Sequence, residues 1–442
     1  MMRVMAPHDA PQWGLRNARV PACLTAGPAL ASDGDGLAKV DLMISGEQIE
    51  SLSPAGTADL PAEIPCLDLG GGIILPCLVD VHVHLDKGHI WSRANNPDGT
   101  FASALAAVGA DRLANWRADD LRPRMEFGLA CAYAHGSSAM RTHLDSLGPQ
   151  TGISWPLFAQ LRDEWRDRLA LQAVPLFGIE LALDDSHMAK IEAAIESFGS
   201  NVLGAVTTMV PGLQAGLNRL FRLAMDRGYD LDFHVDETMD PQAHALRIIA
   251  ETAIAHKFQG KILAGHCCSL AVQDAQKAHR TIALVAQAGI SVVSLPLCNL
   301  YLQDRHSAST PRWRGITLLH ELQAAGVPVM LASDNTRDPF YAYGDLDMLE
   351  VLRESTRIAH LDHPHADWAR AVSATPAAAM RLERHGTLTP KAKADFIITG
   401  ARNFTELFSR PQSDRSIVRN GRPIAAKVPN YRQLDAGLGL KP

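Results

Sequence analysis

The 442 residues contain no run of about 18 apolar residues, so a membrane-spanning helix is not expected. The first residues, MMRVMAPHDAPQW, lack the apolar core of roughly 7–15 residues that a secretory leader carries. No C-x-x-C pair occurs either; the seven cysteines are scattered and odd in number, which fits reduced, mostly buried thiols rather than a disulfide framework. An excess of basic residues is also missing. With 42 Lys and Arg against 48 Asp and Glu, the formal charge is −6, a balance that argues against a nucleic-acid binder. The expectation is a cytoplasmic protein with no nucleic-acid and no membrane partner, acting on a small molecule. Whether copies of the chain form a homo-oligomer is left open.

What is present is the composition of an ordinary globular chain, 47% hydrophobic and 20% charged. Residues 13 to 75 read as short strands, WGLRNARV and then KVDLMISGEQIESLSP with a turn at Ser45-Gly46. Beyond them, short apolar runs alternate with longer amphipathic segments, the signature of βα units. The runs are 72–84, 137–145, 169–178, 202–210, 230–237, 261–269, 290–299 and 327–335. Apolar residues at three- and four-residue spacing predict helices in WPLFAQLRDEWRDRL, AHALRIIAETAIAH and QAGLNRLFRLAMDRG, the last ending in a glycine suited to a C-cap.

Eight such units in about 300 residues predict an α/β fold, a (β/α)8 TIM barrel, with a doubly wound open sheet as the alternative. The tail returns to strands in ADFIITG and SIVRNGRPIAA, with Asn420-Gly421 as a hairpin turn. We therefore expect a small flanking β-sandwich built from both termini, residues 1–71 and 381–442, around a barrel over 72–380.

Barrel enzymes carry their chemistry at the C-terminal ends of the strands. Here the first run ends in His82 and His84, the fifth in His234 with Glu237, the sixth in His266 and the eighth in Asp334. Residues i and i+2 of a strand point to one face, so His82 and His84 can aim two imidazoles at one cation. His234 and Glu237, three apart, would diverge on a continuing strand; the strand must end near Val235 and turn the carboxylate back. Zn²⁺ or Fe²⁺ suits such a mixed nitrogen and oxygen site. Each residue alone has an ordinary explanation, as a hydrogen-bonded core histidine or, for Glu237, a helix-start acid with Thr238 and Asp240 as competing caps. The second His-x-His pair, His363-Pro364-His365, lies among polar residues around a proline and is expected to be a solvated loop pair.

DVHVH, FHVDE, GHCC and LASDN, in this order, resemble the metal-dependent amidohydrolase superfamily, and within it the cytosine deaminase-like hydrolases. MRTHLD, LPLCNLYLQDR and DPFYAYGDLDML extend the likeness, which runs from about residue 16 to 425. The resemblance implies that His82, His84, His234 and Asp334 hold one divalent metal ion. It also implies that Glu237 shuttles protons, that His266 orients the attacking water and that Asp334 takes the water proton. Relatives with two metals use a lysine of the fourth strand, and no lysine occurs from 191 to 256.

The implied activity is hydrolysis of a C–N bond, a deamination, in a small N-heterocycle. At the position where cytosine deaminases carry a ring-reading glutamine this chain has Leu176, which departs from that pattern. HLDK and ASDN-x-RD are similar to the N-isopropylammelide amidohydrolase branch, which places Lys87, Leu176 and Asn335 as substrate-binding candidates. The alternatives are a triazine amidohydrolase, a cyclic-amide hydrolase of the hydantoinase or dihydroorotase type, and a barrel without catalysis. The base deaminases that use P-C-x-x-C are set aside, because Pro65-Cys66 and Pro76-Cys77 lack the second cysteine.

Overall fold

The computed structural model describes residues 10–25, 30–57 and 63–439; residues 1–9, most of the stretch read above for a leader, lie outside them. The strands in chain order are β1 Gln12–Pro21, β2 Leu37–Ser45, β3 Gln48–Pro54, β4 Cys66–Asp68, β5 Ile74–Pro76, β6 Leu78–Val83, β7 Ser137–Asp145 and β8 Ala170–Leu176. They continue as β9 Val202–Thr207, β10 Asp230–Val235, β11 Ile262–His266, β12 Ile290–Ser294, β13 Val329–Leu331, β14 Phe396–Ile398, β15 Ser416–Arg419 and β16 Arg422–Pro423. The chain divides into two compact units, residues 1–80 with 131–139 and 347–428, and residues 81–130 with 140–346 and 429–442.

The first unit holds two four-stranded sheets, ordered β3-β2-β1-β4 and β16-β15-β14-β5. Residues from both sheets, among them Trp13, Leu15, Val40, Leu42, Ile74, Phe396 and Val418, form one buried apolar cluster. The expected turns are present: Gly46 (φ 56°) separates β2 from β3, and Asn420 (φ 49°) with Gly421 (φ 74°) separates β15 from β16. Positive φ at both central residues, as at Asn420 and Gly421, is what a type I′ hairpin demands.

Two expectations need correction here. The first apolar run is not one strand. Its early part, β5, pairs antiparallel with β14, and the chain changes partners between Cys77, whose N–H donates to Asp395 O, and Leu78, whose N–H donates to Gly136 O. Pro76, which has no N–H, marks the break. The second correction concerns the loop histidines. His363 is solvated, its side chain 93% exposed, but His365 is half-buried with its ring 4.9 Å from Phe404 and 5.5 Å from Phe408.

In the second unit β9 to β13 form a parallel sheet in sequence order; β6 and β7, each of which begins in the first unit, form with β8 a three-stranded sheet in that order. Single parallel bridges join Gly178 to Val206 and Val83 to Asp334. The strands are almost wholly buried, which is why the sequence shows near-continuous apolar runs instead of alternation. All three expected helices form, as Thr151–Trp165, Leu213–Arg227 and Ala245–His256; Gly228 ends the second in the left-handed conformation. Among the described residues no helix is long and apolar enough to cross a membrane, and all seven cysteines are free, five of them buried.

Gly421 offers a direct test of the hairpin. A Cβ there would lie 2.0 Å from the backbone oxygen of Gly46, at a positive φ that L side chains avoid. Gly421→Ala is expected to destabilise the protein by roughly 1–3 kcal/mol, read as a lower urea midpoint, whereas Gly46→Ala, with open space around its Cβ, should cost less.

Candidate active site

The polar side chains gather where strands end. β10 stops at Val235, as His234 and Glu237 require, and Asp236 takes a left-handed φ of 45° that turns the chain back. Glu237 is no helix-start acid, since the next helix begins at Ala245. Asp236 does the anchoring there: its carboxylate accepts from the N–H groups of Ala245 and Leu246 at 3.1 and 3.0 Å. Thr238 and Asp240 accept only within their own turn. His266 (φ 68°) and Asp334 (φ 65°) are left-handed as well. Non-glycine residues in this region carry strain of order 1–3 kcal/mol each, and such strain clusters at functional sites.

The structure brings four candidate ligands to one point. His82 Nε2 and His84 Nε2 lie 3.1 and 3.2 Å from His234 Nε2, and Asp334 Oδ1 lies 3.2 Å from His84 Nε2 and 3.7 Å from His82 Nε2. A cation with ligands at 2.0–2.1 Å in tetrahedral array sets donor–donor edges of about 3.3 Å, so the donor set fits a divalent metal. The chemistry agrees. Burial, then the charges of neighbouring histidines, Lys87 and Arg141, holds these imidazoles far below the usual histidine range, leaving them neutral with lone pairs to give. Gly265 on β11 makes the room, because a Cβ there would stand 3.0 Å from His82 Cε1.

Around this cluster lie the groups that could move protons. Glu237 is mostly buried, and burial together with the charge of Asp334 pushes its carboxyl well above the usual carboxylate range, which favours the acid form. His266 sits 3.5 Å from Glu237, and burial pushes it down to about 3. A hydrogen bond from Asn299 Nδ2 to His266 Nδ1 at 3.0 Å leaves the N–H on Nε2, which has no hydrogen-bond partner. Lys87 is buried rather than solvated. Burial alone would lower its ammonium, but Asp145 at 3.0 Å and Asp86 outweigh it and keep the charge. Asn335 donates to Asp338 at 2.7 Å, and Leu176 closes β8 as a buried apolar residue.

Several residues of the site had no assignment in the sequence reading. Arg141, His143 and Asp145 stand at alternate positions of β7: Arg141 pairs with Asp232 at 2.8 Å, the His143 ring lies 4.0 Å from that of His82, and Asp145 holds both Lys87 and, at 2.6 Å, Arg112. The signal was a period of two in ionisable residues, Arg141, His143 and Asp145, along a buried strand. Asn299 and Gln303, which reach Glu237 from a helix, Pro296–Leu302, and its C-cap, carried no comparable signal.

Residues 140–425 match the amidohydrolase family. The chain is 50% identical over 435 residues to a pterin deaminase of Rhizobium rhizogenes (strain K84), covering 98% of this chain and 99% of that protein. It is 21% identical over 398 residues to the N-isopropylammelide isopropyl amidohydrolase of Pseudomonas sp. (strain ADP), covering 87% and 93% of the two chains. Among solved structures, that of 5-methylcytosine deaminase from Klebsiella pneumoniae liganded with 5-fluorocytosine is similar with a TM-score of 0.80 at 25% identity, over 94% of this chain and 97% of that one.

The tight approach of Gly265 to His82 can be tested directly. Gly265→Ala must displace a ring that the donor cluster fixes, while its backbone φ needs no glycine. Zn²⁺ or Co²⁺ affinity, measured by chelator competition, is expected to fall by roughly 10–100-fold, the scale of losing a ligand's support. Unchanged affinity would show that the ring can yield.

Proposed function

The chain belongs to the amidohydrolase family, and on that premise we propose that it is a metal-dependent deaminase that removes the 2-amino group of a pterin. The observation that carries the reaction class is the convergence of three buried imidazoles and the Asp334 carboxylate, with Glu237 3.5 Å from His266 beside them. The substrate reading is supported by the 50% identity, spread over 98% of the chain, to the protein named pterin deaminase. Two bridges, Gly178 to Val206 and Val83 to Asp334, support reading β6 to β13 as one closed (β/α)8 barrel. The shared apolar cluster of the two four-stranded sheets supports a β-sandwich made from residues 1–71 and 381–442.

In this reading His82, His84, His234 and Asp334 hold a single Zn²⁺ or Fe²⁺. Such a cation, when bound, lowers the pKa of water from 15.7 to about 7 and polarises the carbon under attack. The residues of the chain do the rest. Asp334 accepts the proton of the attacking water. His266, with its proton on Nε2, donates to the oxygen as the tetrahedral intermediate forms. Glu237 protonates the ring nitrogen next to C2; the amino group then takes the proton that Asp334 received from water, the C2–N bond breaks, ammonia leaves, and the hydroxyl proton of the intermediate returns to Glu237 as C2 becomes a carbonyl. Lys87, kept charged by Asp145, offers a donor to a ring carbonyl. Leu176 cannot make the hydrogen bonds by which a glutamine reads cytosine, and the site should be poor for that base.

Ammonia release from pterin, cytosine and ammelide-type triazines separates the readings. Pterin is expected to exceed cytosine in kcat/KM by roughly 100-fold or more, and the reverse order would overturn the substrate reading. Metal analysis should find about one Zn²⁺ or Fe²⁺ per chain, absent from His82→Ala and His234→Ala. Full metal content in both variants would remove the ligand assignment. Glu237→Gln keeps the shape but not the exchangeable proton. Its turnover should fall by roughly 10²-fold or more with metal retained, and wild-type turnover would exclude Glu237 from the mechanism.

A further inference from the structure

A row of aromatic rings leads outward from the candidate site. Phe340, 7% exposed, has Lys87 Nζ 5.6 Å from its ring centroid and the ring of Phe101 at 5.4 Å. Its backbone oxygen lies 3.9 Å from Cys298 Sγ, and the same sulfur faces Asn335 Oδ1 at 3.9 Å. Cys298 and Tyr301 are three apart on the helix Pro296–Leu302, so both lie on the face turned toward the loop that follows Asp334. Tyr301 stands one turn farther along. Tyr341 and Tyr343, from that loop, meet it at centroid distances of 5.5 and 6.0 Å and each other at 5.8 Å, with interplanar angles of 80°, 90° and 83°.

Exposure rises along the row. Phe340 is buried, Tyr301 and Tyr341 are half-buried, and Tyr343 is 65% exposed. Three edge-to-face pairs make a stiff array, and the Arg305 guanidinium, 4.5 Å over the Tyr301 ring, holds it from one side. The half-buried Tyr301 shares a helix with Asn299, and Tyr341 with the exposed Tyr343 shares a loop with Asn335, so the three rings show aromatic surface that a ligand would cover.

We propose that Tyr301, Tyr341 and Tyr343 form the wall against which the second, pyrazine ring of a fused two-ring substrate stacks, and that they make the enzyme selective for bicyclic over single-ring aminopyrimidinones. The inference rests on the pterin reading and deepens it. The ring that reacts must lie at Asp334 and Glu237, and a fused neighbour extends from it by one ring width. An electron-poor pyrazine stacks well on a tyrosine face, whereas a single pyrimidinone does not extend that far. Cytosine-sized substrates would leave the array idle.

Isocytosine is the control, because it carries the same 2-amino-4-oxo edge as pterin without the second ring. In Tyr301→Ala and Tyr341→Ala the ratio of kcat/KM for pterin to that for isocytosine is expected to fall by about 10–100-fold, the scale of stacking one base on one aromatic ring. Tyr301→Phe, which keeps the ring, should restore the ratio. Binding of the two products, lumazine and uracil, to the metal-loaded protein gives the same comparison without turnover, and lumazine should lose affinity selectively. Equal losses for both ring sizes, or a ratio unchanged in both alanine variants, would overturn the proposal. If wild-type protein does not deaminate pterin, the substrate reading fails, and lumazine binding by wild type and Tyr301→Ala still decides whether the array holds a second ring.

Discussion

Four buried donor atoms face one another across 3.1–3.7 Å, and this mutual approach governs the second unit. Neutral imidazole nitrogens this close repel unless something positive lies between them, so a sequence that builds such a cluster and also desolvates it has accepted a large electrostatic burden. The local backbone follows from it. Two histidines come from alternate positions of β6, β10 must end at Val235, and Asp236, His266 and Asp334 adopt left-handed backbones that only a fixed surrounding can hold. Gly265 is where the neighbouring strand gives up its side chain to the ring of His82.

A second layer keeps the charges near that cluster in balance. Asp232, pushed up to about 6 by burial, is offset by Arg141. Asp145 is shared by Lys87 and Arg112, which lets an ammonium persist where burial would otherwise discharge it. Asn299 settles which nitrogen of His266 carries the proton, a detail worth as much to proton transfer as the histidine itself. These partners are polar residues with fixed jobs, and their burial is tolerated because each meets an opposite charge or a hydrogen bond.

The parts legible in the sequence were those with a period. Eight mostly apolar runs announced the strands, because strands buried on both faces carry few polar residues, and His82 and His84 showed their common face by spacing alone. Leu213–Arg227 ends at Gly228 as its glycine foretold. What stayed hidden depends on contacts between distant segments. That β5 leaves the first run to pair with β14 follows from a partner more than 300 residues away. Lys87 was a substrate-binding candidate, but its ion pair could not be foreseen because nothing local discloses Asp145, and Asn299 is an ordinary helical residue until His266 and Glu237 are placed beside it.

This division also explains why reaction class and substrate differ so much in how readily they are inferred. The metal-ligand candidates and His266 sit on or directly beyond β6, β10, β11 and β13, where sheet hydrogen bonds fix the backbone to a fraction of an ångström. The groups that would face the rest of a substrate, Leu176, Asn335 and the three tyrosines, lie at the end of β8, on the short helix after β12 and on the loop after β13, outside the sheet ladders. A fold can therefore keep one cluster of ligands and exchange its loops, so likeness to 5-methylcytosine deaminase at 25% identity speaks to the chemistry more than to the ring that receives it. The match to the pterin deaminase spans 98% of this chain and therefore runs through those loops as well as the strands.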